Sequence, residues 1–169
     1  MKLTDYFLAE LESEAAISRR VLERVPDGLY DWKPHPTSMG FGYLAELVAR
    51  IPSWTSMAIE KNELDLKAAG GGSSQMSQLK TSSELIAELD KVTAQARASL
   101  SKTTDDHLMT PWQLKMGGTV VLEQPRYLVL RDLFNHAAHH RGQLTVYLRL
   151  NGVKIPSVYG PSADDQRFA

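Results

Sequence analysis

His136 and His140 are the residues of this sequence best placed to do chemistry. They stand four apart in a segment whose apolar spacing predicts a helix from about Arg126 to Asn151, so they fall one above the other on one face. Two imidazoles at that spacing can share a divalent metal ion. The same spacing also occurs on many helices that bind nothing, and a metal site needs a third protein ligand. With Asp132 at 0° and about 100° per residue, His136 lies near about 40° and His140 near about 80°. The apolar stripe of Leu133, Ala137, Leu144 and Leu148 runs from about 100° to about 160°. The pair therefore flanks the buried face, where a site between packed helices would be built. His139, near about −20°, reads as a rim or supporting residue. Asp132, one turn before His136, can orient that imidazole or pair with Arg131 or Arg167. Gln143 can face a substrate or satisfy a backbone group, and Tyr147 reads as core although it lies on the same strip.

The elements that must position these groups are helical. Leu8, Leu11, Ala15, Ser18 and Leu22 predict a first helix over about 3–25, stopped by Pro26-Asp-Gly28. Tyr30 to Ser38 holds two prolines and reads as a connector, with His35 packed in a shaped turn near Trp32 rather than serving as a ligand. A second helix, capped by Thr37 or Ser38, runs to about Glu60, and Pro52 should kink it near Val48. Residues 62–80 contain Gly-Gly-Gly-Ser-Ser and read as a flexible loop, a candidate for mobility near a site mouth. Thr81-Ser-Ser-Glu84 is a capping signature for a third helix to about Ser101. Residues 102–125 form a long crossover, with a short strand-like ribbon around Gly117 and Gly118. The fourth helix carries the histidines, and Tyr159 is the expected anchor of the tail after it. The expected architecture is all-α: a four-helix bundle with a long crossover between helices 3 and 4, in one domain over residues 1–169.

Composition narrows the function. The chain has 169 residues, 43% hydrophobic and 23% charged, values typical of a globular domain. A formal net charge of −1 argues against a nucleic-acid footprint. No apolar run is long enough for a membrane span, and the N-terminus enters an amphipathic helix rather than a signal peptide. With no cysteine, thiolate metal sites and a protein-borne thiol nucleophile are excluded, and a cytoplasmic location is expected.

The motif Asn135-His-Ala-Ala-His-His-Arg-Gly-Gln-Leu144 is followed by Tyr147-Leu-Arg149, Gly152 and Pro156 through Asp164. Upstream stand Tyr30-Asp-Trp-Lys-Pro-His and Phe41-Gly-Tyr-Leu-Ala…Ile51-Pro-Ser-Trp54. Together these resemble the DinB family across nearly the whole chain. The resemblance implies a homodimeric bundle holding nickel or zinc on three histidines, two of them spaced by four on helix four and one on helix two. Related branches transfer low-molecular-weight thiols or isomerise thiol adducts. His136 and His140 match the helix-four pair, whereas Leu47 occupies the helix-two ligand position. Glu46, its neighbour, is a candidate third ligand because carboxylates bind both metals. Two expectations of different class follow. One is a divalent-metal-dependent enzyme for thiol transfer or hydrolysis on a small molecule. The other is a metal-free dimeric binding or interaction module on the same scaffold.

Overall fold

Residues 1–67 and 79–167 are described in the computed structural model. The first apolar stripe forms α1 (Leu3–Leu22), burying Phe7, Leu11, Ile17, Val21 and Leu22 along one side. The region read as one kinked second helix is two helices, α2 (Phe41–Arg50) and α3 (Pro52–Glu60). Pro52 has no N–H to give and occupies the first turn of α3, where none is needed. The chain therefore breaks at Ile51 rather than bending near Val48. Neither Thr37 nor Ser38 caps α2. Gly40 holds that position, and the N–H groups of Phe41 and Gly42 donate to the carbonyls of Trp32 and Tyr30 at 2.8 and 2.9 Å. The preceding loop is thus the cap.

The signature at Thr81 opens α4 (Ser82–Lys102). The Glu84 N–H donates to Thr81 Oγ1 at 3.3 Å, and the Glu84 carboxylate accepts the Thr81 N–H at 3.0 Å. The glycine-rich part of the loop expected over 62–80 falls at 68–78, outside the described residues.

The purely α expectation needs correcting, because the mostly helical chain also carries a small sheet. The crossover contains a short helix, α5 (Asp105–Leu108), then β2 (Pro111–Met116) and β3 (Thr119–Pro125). These two strands form the hairpin expected around Gly117 and Gly118, whose φ values of +61° and +82° suit glycine. Residues Glu63–Asp65 form β1, which joins β2 in parallel to give the order β1-β2-β3. Three residues carry too little alternation to announce a strand. Here tertiary contacts make one: Leu64 and Leu114 pack against the lower core with buried Trp112, and Asp65 accepts N–H bonds from Gly117 and Gly118 at 2.8 and 2.6 Å.

The last helix, α6 (Arg126–Leu150), runs the length of the body. It packs against α1 and against α2–α3, and α4 packs against the same two partners from the other side. One core cluster gathers Val21, Phe41, Leu44, Leu89, Leu144 and Leu148. A second gathers Phe7, Leu11, Leu100, Leu108, Trp112 and Leu130 toward the sheet. No helix among the described residues is long and apolar enough to cross a membrane.

Candidate functional site

The histidine pair forms midway along α6. The rings of His136 and His140 have centroids 4.4 Å apart and planes inclined at 52°. His140 is buried, His136 is half-buried, and His139 is exposed with its ring 5.0 Å from that of His140. Helical geometry alone produces this arrangement, because residues four apart stack on one face. Gln143, one turn beyond, fixes the second ring: its Oε1 lies 2.8 Å from His140 Nδ1. An amide oxygen only accepts, so Nδ1 carries the hydrogen and Nε2 keeps its lone pair. Burial pushes the pKa of both imidazoles down; for His136 the neighbouring His140 and His139 push the same way, while for His140 the bond to Gln143 partly opposes the shift. Both rings are therefore biased toward the neutral form that can accept a hydrogen bond or bind a metal.

Trp54 of α3 meets the His136 ring edge-on, with centroids 5.3 Å apart and planes at 85°. Leu47 and Ile51 of α2 and its C-terminal end form a buried cluster with Ala137, and Trp54 packs against it. Glu46 does not join the histidines. It is fully buried, 3.0 Å from Arg50 Nε, and accepts the Leu79 N–H at 3.4 Å. One residue along a helix is a turn of about 100°, which carries Glu46 away from the face that Leu47 presents.

Asp132 does not orient His136: it accepts from Gln124 Nε2 and from Arg131, each at 2.8 Å. Tyr147 is core, as expected, with its ring 5.5 Å from Trp32 and its hydroxyl donating to the Met39 carbonyl at 3.3 Å. His35 is exposed and lies 2.8 Å from Thr37 Oγ1 within its own turn.

A transition-metal centre needs three or more protein donors. Among the described residues no group of three His, Asp or Glu side chains is placed to hold an ion. Residues 68–78, Ala-Ala-Gly-Gly-Gly-Ser-Ser-Gln-Met-Ser-Gln, contain none of these types.

Two further side chains have partners that local spacing leaves open. Trp54 was legible as a buried-face residue, but its contact with His136 depends on how α3 leans against α6. Arg141 lies at about 180°, on the edge of the apolar stripe, and that position could have marked it as buried. It is fully buried, with Nη2 2.6 Å from Glu14 Oε2, and the Tyr159 hydroxyl bonds to both. Tyr159 is thereby the tail's anchor.

Comparison with known proteins places these features in a wider set. The profile described as "DinB family" matches residues 1–167. The uncharacterized protein YrdA of Bacillus subtilis is 27% identical over 163 residues, covering 95% of this chain and 90% of YrdA. The crystal structure of the DinB-like protein YjoA of Bacillus subtilis superposes with a TM-score of 0.67 at 19% identity, covering 96% of this chain and 99% of that one. A DinB-like protein of Bacillus cereus gives 0.65 at 23% identity, covering 90% and 95%.

Proposed function

Because the chain belongs to the DinB family, we propose that it binds a small molecule at His136 and His140, beside the half-buried indole of Trp54, without a resident metal. In this reading α2 and α3 act as one broken rod of a four-helix bundle, and α5 with the sheet forms the crossover before the last rod. The homodimer implied by the family belongs to the proposal, and light scattering on the purified protein measures it. The observation that carries the reading is the stacked imidazole pair, with His140 Nδ1 held by Gln143 and the Trp54 indole against His136.

A second reading is a metal-dependent enzyme of thiol-transfer or hydrolytic type. The 4.4 Å separation of the two rings favours it, with the remaining donors to nickel or zinc coming from ligand or solvent. Metal content separates the two. Tag-free protein purified without chelator and then incubated with nickel or zinc is measured by inductively coupled plasma mass spectrometry. The first reading expects well under one equivalent after desalting. Near one equivalent, lost in His136→Ala, would overturn it in favour of the second.

A further inference from the structure

We propose that this site selects an uncharged ligand: an apolar body carrying a single hydroxyl or thiol whose hydrogen is donated to His140 Nε2. The inference rests on the site reading above and adds the chemical class. Its main support is the disposition of charge on the three helices that build the site. Over α2, α3 and α6 there is no lysine. Each of their five arginines is engaged elsewhere. Arg50 lies 3.0 Å from Glu46 and 3.7 Å from Glu88. Arg126 donates to the carbonyls of Ala58, Lys61 and Pro111 and to Asn62 and Thr110. Arg131 is bound by Asp132 at 2.8 Å, Arg141 by Glu14 at 2.6 Å and Arg149 by Asp164 at 2.5 Å. Residues 68–78 carry no charged side chain by sequence, so that segment supplies no cation either.

A carboxylate or phosphate entering beside His140 would therefore lose hydration with no cation from these helices to replace it, a large penalty for an ion. It would also face the lone pair that Gln143 leaves on His140 Nε2, acceptor against acceptor. A hydroxyl or thiol reverses that sign, since it brings the hydrogen this nitrogen lacks. The rest of such a molecule meets the half-buried indole of Trp54 beside His136, a surface that rewards apolar area rather than charge.

The test is a set of probes of one shape: phenylmethanethiol, benzyl alcohol, toluene and phenylacetate. Each is titrated into the full-length protein while NMR follows the Trp54 indole and the His136 and His140 ring resonances. The thiol and the alcohol should shift these resonances with dissociation constants about tenfold or more below that of phenylacetate, and below that of toluene. In Gln143→Leu, a change at an exposed position that leaves packing intact, the advantage of the alcohol over toluene should shrink, because the tautomer is no longer fixed. Phenylacetate binding as tightly as the alcohol would overturn the inference and leave the site reading standing. If none of the four probes moves a resonance, the site reading falls, and the inference with it.

Discussion

Glu14→Gln is the substitution that most sharply tests the packing around α6. Arg141 is fully buried and Glu14 nearly so. The guanidinium lies 2.6 Å from the Glu14 carboxylate, 3.0 Å from Ser18 Oγ and 3.2 Å from the Glu14 carbonyl. The Tyr159 hydroxyl donates to Glu14 at 3.0 Å and accepts from Arg141, closing a three-residue ring. Glutamine keeps the volume of Glu14 and removes its charge, leaving a cation buried among neutral groups. Breaking a buried pair from one side costs about 3–5 kcal/mol. Removing both charges is far cheaper, so Glu14→Leu with Arg141→Met should fall within about 2 kcal/mol of the parent. The assay is urea unfolding of the parent, both single variants and the double variant, read at constant slope. A loss below about 1 kcal/mol for Glu14→Gln, or strict additivity in the cycle, would show that the pair is hydrated and the reasoning wrong.

Leu47→His should create the missing third ligand. Spreading the roughly 10–16 kcal/mol of a structural zinc site over four ligands gives about 3 kcal/mol each, so zinc affinity should rise about a hundredfold by competition with a chromogenic chelator. An unchanged affinity would mean that α2 no longer faces the pair in ligating geometry. Because burial lowers the pKa of His136 and His140, the unfolded chain binds more protons than the folded one once the pH drops below about 6.5. Stability should therefore decline from that pH downward to the folded pKa values, with a shallower slope in His140→Ala; urea midpoints across this range read it, and a parent slope equal to the variant's would contradict the assignment. Gly42→Ala should destabilise the fold by about 1–3 kcal/mol, since the added Cβ would lie 2.0 Å from Cδ2 of Tyr30. The Tyr30 carbonyl also caps α2, so a thermal melt that is unmoved would show the loop free to withdraw.

Much of this architecture is written in local pattern. The capping box at Thr81 and the stripe on α6 depend on residues three and four apart, and both appear where that spacing puts them. The hairpin at Gly117 and Gly118 is equally local. Less local features were harder to read. The break at Ile51 turned on whether Pro52 would sit inside one helix or begin another, a choice made by the core contacts of α2 and α3. β1 exists because Asp65 and Leu64 find partners about fifty residues away in β2 and at its turn.

The same division runs through the candidate site. From the order of residues alone, His136 and His140 share a face, Gln143 stands one turn beyond His140, and leucine occupies position 47. These follow from residue type and the pitch of a helix. What surrounds them is set by packing: Trp54 leans on His136, Glu46 turns to Arg50, Asp132 turns to Gln124, and Arg141 faces inward to Glu14. Each of those outcomes depends on which distant group can satisfy a buried charge or fill a volume. That is a property of packed helices together, and no short stretch of the chain contains it.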